Sequence, residues 1–143
     1  MQQLNFDHTL ALILAKDSRY HAEAYHFVKD SLEHTQKLMA RKKRMQARHV
    51  SGVELLEGIR DYALTQYGPM TQMVLSEWGI TRCEDFGEIV FNLVDIGLLG
   101  KTEQDSREDF KNGYDFDDAF RKPFLPLARQ QPKRASTPKS AEA

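Results

Sequence analysis

This chain has little of what staples or interrupts a fold. Cys83 is its single cysteine among 143 residues, so no intramolecular disulfide can form and nothing marks an oxidising compartment. No glycine or proline occurs before Gly52, and Pro69 is the only proline before Pro123, so the first third carries no helix breaker. The apolar run Leu10–Ala15 is too short to span a bilayer and has no basic flank or cleavage signal. The expectation is a cytoplasmic protein with no membrane partner.

Chemistry-bearing motifs are also scarce. The histidines His8, His21, His26, His34 and His49 contain no i, i+4 pair and no H-E-x-x-H, and Cys83 has no second cysteine beside it. A zinc site needs three or four convergent ligands, so no metal is expected. The Asp-rich stretch 105–118 does not follow the spacing of a calcium loop. The glycines sit mostly where helices end rather than in a phosphate-cradling loop. Cys83 falls in the first turn of a helix, where the dipole lowers a thiol pKa. No histidine can be placed beside it from sequence, and the simpler reading is a small buried hydrophobe. Together these absences lead to the expectation of a chain with no cofactor that is not an enzyme.

What is present is segregated charge. Residues 1–50 hold nine Lys/Arg against five Asp/Glu, residues 51–125 seven against fifteen, and residues 126–143 four against one. An acidic body therefore lies between two basic ends, which the net charge of −1 conceals.

The helical pattern begins at Phe6, Leu10, Ile13 and Leu14, which share one face. Asp17-Ser18 breaks it, with Ser18 as cap of a longer helix running to about Arg44. On that helix Ala24, Phe27, Val28, Ser31, Thr35 and Leu38 form one stripe. Ser51 and Glu54 then make a capping box, with Val50 and Leu55 spaced as a staple around it. Gly68 ends the helix and Pro69 opens the next, a short one whose inner face is expected at Met70, Met73, Val74 and Trp78. Thr81 and Glu84 read as a second capping box, followed by Phe86, Ile89, Val90 and Leu93 as a buried face, with Gly97 and Leu98 as a Schellman ending.

Beyond it, Leu98–Glu103 reads as a strand, Gln104–Asp109 as a polar loop and Asn112–Phe116 as a return strand. A short helix at Ser106–Lys111 or a tight turn on Asn112-Gly113 are the alternatives. Tyr114, Phe116, Phe120 and Phe124, interleaved with Asp115, Asp117 and Asp118, read as wing strands clamping the domain or as an exposed docking segment. The expected architecture is mainly α: an N-terminal helical hairpin over 1–48, a winged-helix-like three-helix domain with a short β-hairpin over 49–125, and a disordered basic tail over 126–143, too poor in large apolar groups to pack.

In such a domain the third helix would read nucleic acid. Here it carries Glu84, Asp85, Glu88 and Asp95 against Arg82 alone, and phosphate would be repelled. An unknown protein partner is therefore expected, with Glu84, Asp85 and Glu88 as candidate contacts. The rival is a non-specific nucleic-acid factor binding RNA or DNA through the basic segment 37–48, with Arg41, Lys42, Lys43, Arg44 and Arg48, and through the tail.

Several strings resemble a small bacterial family found in the Verrucomicrobia and Planctomycetes group, to which no activity is attached. They are HVSG at 49–52, ELLEGIR at 54–60, YGPM at 67–70, Trp78-Gly79-Ile80, EDFGEIVFNLV at 84–94, GKTEQDSREDFKNGYDF at 100–116 and KPF at 122–124. The resemblance runs from Tyr20 to about Phe124. It implies a bacterial, intracellular chain and lends no catalytic or binding residues.

Overall fold

The computed structural model describes residues 2–43 and 49–126. Five α-helices carry the fold: α1 (Gln2–Lys16), α2 (Ala22–Lys43), α3 (Gly52–Tyr67), α4 (Thr71–Glu77) and α5 (Cys83–Asp95). Short 3-10 or π turns lie at Gly68–Met70, Arg107–Phe110, Asp117–Arg121 and Lys122–Phe124. One buried cluster, from Phe6 to Phe120, takes side chains from α1, α2, α3, α4 and α5 and from the segment after α5.

Phe6, Leu10 and Ile13 of α1 are buried as their spacing predicts. The start of α2 differs. Asp17 and Arg19 make a turn of their own, Arg19 N donating to Asp17 Oδ1 at 3.0 Å. The helix begins at Ala22 instead, where His21 Nδ1 accepts from Glu23 N at 3.0 Å. His21 N in turn donates to the Trp78 carbonyl at 3.1 Å, so the α1–α2 junction is tied to the end of α4.

The α2 stripe packs along α3, and the crossing is made of small residues. Thr35 faces Gly58, and a Cβ added to Gly58 would lie 1.7 Å from Thr35 Oγ1. The Thr35 hydroxyl donates to the Ser31 carbonyl at 2.7 Å and so enters the interface already satisfied. The α3 capping box forms as expected: Glu54 N donates to Ser51 Oγ at 3.2 Å and Ser51 N to Glu54 Oε1 at 3.0 Å. Val50 and Leu55 are both buried beside it.

Two boundary expectations need correction. On α4 the buried residues are Thr71 and Leu75, while Met70 and Met73 are 49% and 52% exposed. The Gly68–Met70 turn is 3-10, with about three residues per turn, and it shifts the phase of the face that follows. Thr71 Oγ1 is drawn inward by the carbonyls of Gly68 (2.7 Å) and Ala63 (3.1 Å). Trp78 is half-buried and packs on Phe27 and Tyr67, with ring centroids 5.6 and 5.9 Å away. At the start of α5, Asp85 rather than Glu84 closes the cap, its Oδ2 accepting from Thr81 N at 2.9 Å and Arg82 N at 3.2 Å. The far end is as expected: Gly97 has φ 86° and Leu98 N donates to the Leu93 carbonyl at 2.9 Å.

The winged-helix architecture and its β-hairpin are overturned, because no strand occurs among the described residues. Residues 101–104 are all exposed, with no apolar side to lay on a sheet. Thr102 and Asp105 close a turn there, Thr102 N donating to Asp105 Oδ2 at 2.8 Å. Ser106 then caps the Arg107–Phe110 turn by accepting from Glu108 N at 2.9 Å. The aromatic–Asp alternation reads as period two, yet the buried residues are Phe116, Ala119 and Phe120, at helical spacing. Tyr114, Phe116 and Phe120 form an aromatic cluster reaching Phe86, and the Tyr114 hydroxyl donates to the Leu56 carbonyl at 2.8 Å. The clamp exists, but it is helical, and Phe124 stands outside it at 46% exposure.

Gly58→Ala should lower stability by roughly 1–3 kcal/mol, since the methyl must push α2 away from α3. Urea unfolding measures this, and a variant as stable as the parent would show that the helices do not meet there.

Candidate functional site

Two of the acidic residues of α5, Asp85 and Glu88, are engaged within the fold. Asp85 is 8% exposed, and its Oδ1 accepts from the Tyr20 hydroxyl at 2.6 Å. Glu88 lies between two guanidinium groups, accepting from Arg19 Nη2 at 3.2 Å and from Arg107 Nε at 3.3 Å. Arg107 also stacks over Phe91, 4.9 Å from the ring centre. Glu84 is half-buried, and its side chain makes no hydrogen bond or ion pair with a described residue. Two of the three predicted acidic contact residues therefore serve the fold. Among the basic candidates, Arg41 is exposed near the end of α2, and Lys42 and Lys43 complete that helix. Arg44, Arg48 and tail residues 127–143 lie outside the described residues.

Three histidines each meet an aspartate from another part of the chain. His26 Nε2 lies 3.3 Å from Asp7, His34 Nε2 2.7 Å from Asp61 and His49 Nε2 2.6 Å from Asp105. Each clasp has one His and one Asp, and no group of three or more His, Cys, Asp or Glu among the described residues could hold a metal ion. Cys83 is 1% exposed, and its Sγ lies 3.4 Å from the Tyr114 carbonyl, to which it donates. Burial pushes its thiol up to about 11, opposite to what a nucleophile needs.

Two surfaces remain that sequence reasoning missed. The first is the outward side of α4. Met70 and Met73 are exposed there, and α4 packs against the Asp117–Arg121 turn, which runs on into Lys122–Phe124 and the exposed Phe124. Ion pairs sit on these turns, Arg121–Asp117 at 3.1 Å and Lys122–Asp118 at 2.6 Å.

The second is a cleft of about 460 Å³ between α2, α3, α5 and the loop after α5. Its floor is apolar, with Leu32, Leu55, Val90, Val94, Leu98 and Leu99. Its polar groups lie mostly on two chain segments, His49–Gly52 and Gly100–Asp109, with Gln36 of α2 as a further one. The His49–Asp105 clasp joins these segments at the rim. Val90, expected on the buried face of α5, is half-buried and lines this cleft. The sign of it in the sequence is the abrupt step from Leu98-Leu99 to the polar run at 101–105.

No protein family, curated protein or solved structure matches this chain. No helix among the described residues is long and apolar enough to cross a membrane.

Two measurements check this electrostatic account. Cys83 should resist a thiol reagent at pH 8 in the folded protein and react fully once unfolded; rapid native labelling would place it at the surface. Asp17 is held well below the usual carboxylate range, chiefly by hydrogen bonds from the Arg19 side chain against the opposing effect of burial, with Asn92 adding another. A depressed folded pKa gives stability that is present above the unfolded value of about 3.9 and lost as pH falls through the folded one. The melting temperature should fall as pH drops below about 4, with a shallower fall in Asp17→Asn; equal slopes would remove Asp17 from that account.

Proposed function

We propose that this protein is a non-enzymatic interaction module that docks a protein partner on the outward side of α4, at Met70 and Met73. The observation that carries this reading is the inversion on α4: a threonine is fully buried while two methionines face solvent. Exposed methionine is a flexible, polarizable contact that adapts to an apolar partner surface. The neighbouring Arg121–Asp117 and Lys122–Asp118 pairs cancel charge, so recognition on this face rests on apolar contact and tolerates salt.

The rival reading, non-specific nucleic-acid association through residues 37–48 and the C-terminal tail, rests on the basic run and predicts the opposite response. Each phosphate contact releases condensed counterion, so affinity would fall steeply with salt. Replacing Lys42, Lys43 and Arg44 with Gln would then lower both affinity and salt slope.

Capture of partners from the native cell, with nuclease and at low and high salt, separates the two. Met70→Ser combined with Met73→Ser should abolish nuclease-resistant capture and change the melting temperature little, because about half of each side chain is already exposed. Capture that survives this double substitution, or that disappears with nuclease, would overturn the protein-docking reading.

A further inference from the structure

We propose that the cleft between α3, α5 and the Gly100–Asp109 loop is a binding site for a small organic amine with an apolar body. The site is separate from the Met70–Met73 face and does not depend on it. Its volume of about 460 Å³ lies within the roughly 300–1,000 Å³ typical of sites for small organic ligands. The division of its lining matters more than the volume. Leu55, Val90, Val94 and Leu98 offer hydrocarbon only, so the inner part of the occupant carries no polar group that would be left unpaired there.

The rim decides the sign of the head group. Asp105 is fixed by three donors: Thr102 N at 2.8 Å, Thr102 Oγ1 at 3.3 Å and the His49 ring at 2.6 Å. Asp109 is fixed by Ser106 N at 3.2 Å and lies against Gly52, where an added Cβ would meet its side chain at 2.7 Å. Both carboxylates are thus held in place beside the opening. Two groups oppose them: the His49 ring, already committed to Asp105 at 2.6 Å, and the ammonium of Lys101, which is exposed and donates to the Thr102 carbonyl at 3.0 Å. A flexible lysine can swing into water, whereas the two aspartates cannot leave. A cationic head gains from this arrangement, and an anionic head must approach two fixed negative charges beside a low-dielectric wall, where the repulsion is poorly screened.

Three probes with one body and three heads test the assignment: octylamine, octan-1-ol and octanoate, each titrated at neutral pH into the full-length protein. Binding is followed by amide shifts in residues 90–94 and 98–109. Octylamine should bind tightest, with octanoate weaker by about tenfold or more and octanol between them. Val90→Phe, which fills the floor, should weaken all three. Asp109→Asn keeps an acceptor for Ser106 N, and it should weaken octylamine several-fold while leaving octanol unchanged. Octanoate binding as tightly as the amine would overturn the proposal. So would equal affinity for all three, shifts elsewhere than the cleft, or no saturable binding at millimolar concentration. Should Val90→Phe fail to fold, the Asp109→Asn comparison still decides the head-group assignment.

Discussion

The carboxylate of Asp85 is the point on which the helix arrangement depends. It is buried, and a buried charge is tolerated only when donors surround it. Its donors come from two separate stretches: the Tyr20 hydroxyl from the α1–α2 junction, and the Thr81 and Arg82 backbone from the α4–α5 junction. Wherever α5 starts, Tyr20 must therefore follow. Gly79 tightens the same joint, because a Cβ there would lie 2.4 Å from the Arg19 carbonyl. With the two junctions held together, α2 is aimed along α3, and the Gly58 crossing sets how closely they pack.

That joint also governs how charge appears at the surface. By composition the middle of the chain is strongly acidic, and α5 reads as an acidic helix. In the fold, Arg19 reaches both Asp17 and Glu88, and Arg107 reaches Glu88 from the other side. Two of the four α5 carboxylates that would have repelled a phosphate backbone, Asp85 and Glu88, are thus engaged by groups of the protein itself. Exposed pairs of this kind add little stability; their consequence here is a change in what α5 presents to a partner.

Apolar surface is distributed in the opposite sense. Burying a residue the size of methionine is worth about 1.5–3 kcal/mol relative to leaving it exposed, yet α4 and the turn before it leave Met73 and Met70 half exposed and bury Thr71. The Thr71 hydroxyl is satisfied by two carbonyls, so burying it carries no unpaired group. The cleft arises differently. Gly97 ends α5 and turns Leu98 and Leu99 toward α3, but the next residues are too polar to close over them. An apolar floor and a polar lip result from one abrupt change of composition at Gly100.

Much of the helical skeleton was legible in residue order alone. The α1 and α2 stripes, the Ser51–Glu54 box, the glycine stops at Gly68, Gly79 and Gly97 and the Leu98 return contact are local, each decided by groups a few residues apart. The segment after Gly97 was misread because alternating aromatic and acidic residues satisfy a period of two on paper. Only contact with Phe86 and Leu56 selects the helical subset that is buried. The surfaces were invisible for the same reason. Which side of α4 faces out depends on the phase set by the Gly68–Met70 turn and on carbonyls at Ala63 and Gly68. The cleft needs walls from α2, α3, α5 and a loop, with His49 and Asp105 brought together from 56 positions apart. Local hydrogen bonds and periodicity act within a turn or two, so the sequence by itself determined the helices and where most of them stop. Their phase, their charge partners and the space left between them depend on long-range packing, which only the tertiary structure decided.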